Sequence, residues 1–137
     1  MRTVVITAHG DPSVLRVEER PDPVPGPGQV VIDVKAAGLN FADVMARMGL
    51  YPDAPKPPVV VGYEVAGVVE GTGERVIAAT RFGGQAERVA VRASDTVPLP
   101  EGLSFAQGAA IPVNYATAWA ALITYGVGAL VGVSVAG

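Results

Sequence analysis

Proline and glycine set the limits on what this chain can fold into. Of its 137 residues, 12 are proline and 17 are glycine, about twice the usual share. Proline fixes φ and removes a backbone donor, while glycine makes sharp turns accessible. Long helices are therefore few, and short strands joined by tight connections are expected. The densest block is Pro21-Asp22-Pro23-Val24-Pro25-Gly26-Pro27-Gly28. Prolines at every second position make it a stiff, extended surface crossing rather than a central strand.

The segments between these breakers have clear periods. Thr3 to Ala8 is a β-branched run, Val14 to Arg20 partly alternates, and Gln29 to Ala36 alternates well, with Ile32 and Val34 opposite Asp33 and Lys35. Asn40 to Met48 is a helical candidate, with Asn40 as N-cap and Gly49 as its stop. Phe41, Val44, Met45 and Met48 fall on one stripe, which predicts that this stripe is buried. Val59 to Glu70 reads as a strand, Gly71-Thr72-Gly73 as a tight turn, and Glu74 to Ala79 and Gln85 to Val91 as further strands. Pro98 and Pro100 close this β region. Ser104-Phe105-Ala106-Gln107 has the capping-box pattern of a helix start. Pro112 should interrupt that helix, and a second should run from about Val113 to Tyr125, stopped by Gly126. The sum is a mainly β fold, barrel or sandwich-like, with short helices.

Composition removes several functional classes. Half the residues are apolar and 17% are charged, so the chain is not of the disordered type. Ten basic and thirteen acidic side chains give a net charge of −3, and no basic cluster marks a nucleic-acid interface. With no cysteine there is no disulfide, thiolate nucleophile or cysteine-based zinc site. A lone histidine, His9, does not make a metal site and reads as a turn residue. The N-terminus turns polar too early for a signal peptide, so a cytoplasmic setting is expected.

Two blocks carry a family resemblance: Gly38-Leu39-Asn40-Phe41-Ala42-Asp43-Val44-Met45-Ala46-Arg47-Met48-Gly49-Leu50-Tyr51, and Val61-Gly62-Tyr63-Glu64-Val65-Ala66-Gly67-Val68-Val69. With Gly73-Glu74-Arg75-Val76, Gly83-Gly84-Gln85-Ala86-Glu87 and Pro112-Val113-Asn114-Tyr115-Ala116-Thr117-Ala118, in that order, the chain resembles the medium-chain dehydrogenase/reductase superfamily. Within it, the chain is most similar to the zinc-independent quinone oxidoreductases and the synaptic vesicle membrane protein-like branch. The resemblance implies a GroES-like, partly open β-barrel over residues 1–125, the substrate-side half of a two-domain enzyme, followed by an apolar, glycine-rich tail at 126–137. Such enzymes reduce quinones or α,β-unsaturated carbonyls with a hydride from NADPH, bound mainly by a Rossmann domain.

Site residues follow from the same resemblance. Asn40 and Asp43 fall at the catalytic helix, where i, i+3 spacing puts them on one face. Asn40 is positioned to donate to a substrate or nicotinamide oxygen, and Asp43 to order that network. Tyr51 and Tyr63 match the substrate cleft, and Thr117 matches a residue touching the nicotinamide ring. Glu64 reads as a buried hydrogen-bonding group in its strand, against a role near the site. Met45 departs from relatives that carry a tyrosine there. Zinc-dependent relatives place Cys, His and Cys where this chain has Asn40, Tyr63 and a position near Val113. Those replacements cannot ligate zinc, so no metal is expected.

Two features depart from the family pattern. Only Glu70 to Arg75 links the strands at Val69 and Val76, where relatives insert a longer stretch. The tail Gly126-Val127-Gly128-Ala129-Leu130-Val131-Gly132 has its third glycine one residue late, follows a helix and is followed by no acidic ribose partner. No NADPH is therefore expected on this chain alone, and hydride transfer by it alone should be negligible. Val113 to Gly137 is apolar enough to raise a membrane reading, but Asn114, Thr117 and the lack of flanking basic anchors oppose it. The rival to the enzyme reading is a non-catalytic barrel, stand-alone or engineered, that self-associates through its apolar face at residues 113–137.

Overall fold

The computed structural model describes residues 1–124 and Gly126. Seven strands form in chain order: β1 Arg2–Ile6, β2 Leu15–Glu19, β3 Gln29–Ala37, β4 Glu64–Val69, β5 Arg75–Ala79, β6 Arg88–Arg92 and β7 Thr96–Pro98. Helix α1, Phe41–Met48, lies between β3 and β4, and α2, Phe105–Ala109, and α3, Pro112–Trp119, follow β7. A π-type segment, Ala120–Thr124, continues α3. The expected helical end at Tyr125 and most of the proposed 126–137 tail lie outside the described residues.

Five strands form one antiparallel sheet in the order β6-β3-β4-β5-β7, and β1 and β2 make a separate hairpin. Isolated bridges Thr3↔Ala86 and Ile6↔Val59 tie that hairpin to the larger sheet's connections. The result is a curled half-barrel, mainly β with short helices. Its largest core cluster joins Ile32, Val65, Val69, Val76, Ala78, Val89 and Val91 from four strands. A second cluster packs Ala109 of α2 on Ala66, Ile77 and Leu99. A third puts Ala46 of α1 on Ile6 and Val61.

Backbone chemistry explains the boundaries. The short β4–β5 connection closes well, because Gly71 and Gly73 take positive φ (83° and 73°) and the Val69 amide donates to Glu74 O at 2.9 Å. Ser104 does cap α2, accepting from the Gln107 amide at 3.2 Å while Gln107 Oε1 accepts from the Ser104 amide at 2.9 Å. Pro112 opens α3, where its missing N–H is not needed. The long strand expected over Val59 to Glu70 begins only at Glu64, because Gly62 has φ 108° and the chain there turns beneath the Gly84–Gln85 backbone. β7 forms where the sequence reading saw only a closing proline pair; Val97 pairs with Ile77.

The predicted burial of the Phe41–Val44–Met45–Met48 stripe is wrong. Phe41 and Met48 are exposed, and the buried residues of α1 are Asp43 and Ala46. Hydrogen bonds at its N-terminus turn the Asp43 face inward. No described helix is long and apolar enough to cross a membrane.

Candidate functional site

The site begins at the junction between β3 and α1. Asp43, only 4% exposed, accepts the Asn40 amide on Oδ2 at 2.8 Å. This is one half of a capping box. In the other half the Asn40 side chain faces the Asp43 amide, but that amide's hydrogen bond goes to the Asn40 carbonyl at 3.0 Å. Asn40 Nδ2 instead donates to Glu64 Oε1 at 2.8 Å. A carboxylate can only accept, so this bond fixes which end of the Asn40 amide faces β4. One N–H and the side-chain oxygen of Asn40 stay outside it.

Glu64 is the hub that sequence reasoning left undecided. It opens β4, is 1% exposed, and accepts the Val113 amide on Oε2 at 2.8 Å as well as Asn40 on Oε1. One carboxylate thus joins the start of α1, the start of β4 and the first turn of α3. Its space depends on Gly38, where a Cβ would overlap Glu64 Oε1, Cγ and Cδ. A carboxylate inside the apolar run from Val59 to Val69 was the available signal, since such groups stay buried only when hydrogen-bonded. Asn40 and the Val113 amide therefore converge on one carboxylate.

Among the described residues two buried side-chain polar atoms have no hydrogen-bond partner: Asp43 Oδ1 and Tyr63 Oη. Burial pushes the Asp43 carboxyl above its usual value, and the nearby Glu64 charge adds to the shift. The Asn40 and Gly62 amides oppose that shift, although Gly62 lies outside good hydrogen-bond geometry for Oδ1. Burial, reinforced by Tyr51, Asp43 and Asp53, pushes the Tyr63 phenol up to about 12. Tyr63 is therefore a neutral O–H donor throughout the physiological range. Asp43 also lines a cavity of about 200 Å³ with Leu39, Val44 and Val61.

The two expected cleft tyrosines meet. Tyr51 and Tyr63 pack edge to face with centroids 5.9 Å apart, and Phe82 packs on Tyr63 at 5.6 Å. Phe82 carried no periodic signal in the sequence. Thr117 is different: it sits exposed on α3, one turn beyond Val113, whose amide donates to Glu64. Among the described residues no group of three or more His, Cys, Asp or Glu side chains could hold a metal ion.

Comparison with known proteins agrees with this fold. Residues 26–101 match the alcohol dehydrogenase GroES-like domain family. The rat synaptic vesicle membrane protein VAT-1 homolog is 42% identical over 92% of this chain, which spans 34% of that protein. The crystal structure of the human VAT-1 homolog-like protein superposes with a TM-score of 0.87 at 36% identity, over 91% of this chain and 43% of that one. The quinone oxidoreductase of Thermus thermophilus, solved also in complex with NADPH, gives 0.82 at 46% identity, over 89% and 40%. The chain thus spans between a third and a half of these relatives, and its match lies in their GroES-like part. It belongs to the alcohol dehydrogenase GroES-like domain family of the medium-chain dehydrogenase/reductase superfamily, among relatives of the quinone oxidoreductase kind.

Proposed function

We propose that this chain forms the substrate-side wall of an NADPH-dependent reductase acting on quinones or α,β-unsaturated carbonyls. The observation that carries this reading is the pair of buried polar atoms without a partner among the described residues, Tyr63 Oη, next in the chain to the Glu64 that orients Asn40, and Oδ1 of Asp43, which accepts the Asn40 amide on its other oxygen. Native proteins rarely leave such groups unsatisfied unless something else comes to meet them. A ligand carbonyl would satisfy Tyr63.

The residues present fit the nicotinamide end of the cofactor. Asn40 keeps one N–H and its oxygen free of the Glu64 bond, a pattern suited to a carboxamide, and Thr117 stands on the exposed face of α3. When bound, NADPH supplies the hydride. Tyr63 then holds its proton toward a substrate oxygen and stabilises the negative charge that develops there. Asp43 anchors the turn that presents Asn40, and Tyr51 and Phe82 hold the Tyr63 ring and keep water from it. The side chains at Asn40, Tyr63 and Val113 are an amide, a phenol and an aliphatic group, a set that does not fit zinc. Polarisation in this reading therefore falls to hydrogen bonds.

The test joins the chain to the coenzyme domain of a quinone oxidoreductase relative and follows NADPH oxidation with a quinone. Asn40→Ala should lower kcat by about 10²-fold, the order seen when one aligned donor is removed, with the fold retained but stability lower by about 1–3 kcal/mol because buried Glu64 loses a donor. A variant as fast as the parent would remove Asn40 from the chemistry.

A further inference from the structure

A separate groove opens where the barrel wall parts. β3 runs on to Ala37, but its pairing with β6 ends at Asp33↔Arg88, followed by one hydrogen bond from the Val34 amide to Glu87 O at 2.8 Å. The segment Gln85–Glu87 leaves β3 to join β1: the Val4 amide donates to Gln85 O at 2.9 Å and the Glu87 amide to Arg2 O at 3.0 Å. The end of β3 and the β1–β2 hairpin therefore diverge around a cavity of about 440 Å³. That volume falls in the range of small-molecule sites. Its apolar wall consists of Val4, Val17, Val34, Ala36, Ala37 and Ala86. Val17 is 69% exposed although it belongs to a strand.

The charges that line the groove itself leave one cation over. Arg2 and Glu87 neutralise each other, with Arg2 Nε donating to Glu87 Oε1 at 2.7 Å. In the adjoining polar depression Arg88 is shared by Asp22, Asp33 and Glu70, and the N-terminal ammonium by Asp22 and Glu19. Lys35 lines both spaces, is exposed, and has no ion pair among the described residues. It follows Val34 at the β3 bulge, where the register against β4 shifts. The groove thus presents an apolar surface whose own charged lining is Arg2, Lys35 and Glu87, with Lys35 the cation that has no ion pair among the described residues.

We propose that this groove binds a small amphipathic anion, its apolar body against the valine and alanine wall and its carboxylate on the Lys35 ammonium. None of Asn40, Asp43, Tyr51, Tyr63 or Thr117 lines it, so the inference goes beyond the reductase reading and stands whether or not that reading holds. A strand of another chain is a poorer occupant, because only Lys35–Ala37 of β3 extend past the β6 pairing.

The experiment titrates the ¹⁵N-labelled chain with decanoate below its micelle concentration and follows the backbone amides. Saturable shifts at Lys35, Ala36, Ala37 and Ala86 are expected. Decanol should bind about tenfold more weakly or worse, the cost of one charge-assisted hydrogen bond. Lys35→Glu should weaken decanoate by at least about as much, with the thermal unfolding curve unchanged because Lys35 is exposed. Val17→Asp, at the apolar wall, should also abolish saturable binding. Absence of shifts, equal affinity for decanol, full affinity in Lys35→Glu, or shifts confined to Asp43 and Tyr63 would each overturn the proposal.

Discussion

Gly38 and Glu64 form a matched pair, since the missing side chain of one makes room for the carboxylate of the other. Gly38→Ala should therefore push the Glu64 carboxylate off both of its donors and destabilise the fold by about 1–3 kcal/mol, as overpacking does; urea denaturation measures it. Asp43 gives a pH signature. Its folded carboxyl binds a proton more tightly than an unfolded aspartate. From about pH 4, where the unfolded group ionises, up to its higher folded value, the folded state holds the extra proton and stability falls as pH rises. Asp11, Asp22 and Glu87 are shifted the other way, by hydrogen bonds from Ser13, the N-terminal ammonium and Arg2. They add stability that is lost as pH falls. The contribution of Asp43 is isolated by Asp43→Asn, whose amide oxygen can still accept from the Asn40 amide. The variant should gain stability relative to the parent as pH rises through that window. A constant difference between the two would show that Asp43 is not held protonated.

At the scale of elements, β3 and β4 meet so closely at Gly67 that a Cβ there would overlap Asp33 O. Gly67→Ala should disrupt the Val34↔Gly67 pairing and lower the melting temperature more than an alanine at exposed Gly71, where nothing lies within 4 Å. Circular dichroism melts compare them, after allowance for the positive φ of Gly71. Elements bounded by strong local chemistry were legible in the sequence. The capping box at Ser104, the stop at Gly49 and the glycine turn between β4 and β5 all depend on a few adjacent residues. The facing of α1 was not legible, because it is set by Glu64 and Asp43 rather than by apolar periodicity. Burying two carboxyl groups is a tertiary decision. The same holds for the site: Asn40 and Asp43 were visible as a spaced pair and Tyr51 and Tyr63 as matched positions. The contact of Glu64 with α3 and the packing of Phe82 needed the folded chain.

At the scale of the whole molecule, the described residues include exposed apolar side chains on two neighbouring segments. Tyr115, Trp119, Leu122 and Ile123 on α3 and the following π-type segment are 55–69% exposed, and Leu39 and Phe41 across the α1 junction are each 75% exposed. Exposed apolar surface grouped in this way marks an interaction site. On the reductase reading the coenzyme domain covers it; in the isolated chain, copies should cover one another. Sedimentation velocity should then show concentration-dependent association, and Trp119→Ser with Ile123→Ser should shift it toward monomer. A monomer at all concentrations would count against self-association. The central claim, that an unpartnered Tyr63 hydroxyl serves a ligand oxygen, is tested most directly by one comparison in the two-domain fusion. Single-turnover quinone reduction and unfolding are measured for Tyr63→Phe and its parent. Loss of an unsatisfied buried hydroxyl should leave stability equal or higher by about 1 kcal/mol, while hydride transfer slows by about 10²-fold. An unchanged rate, or a slower one accompanied by lost stability, would contradict the account.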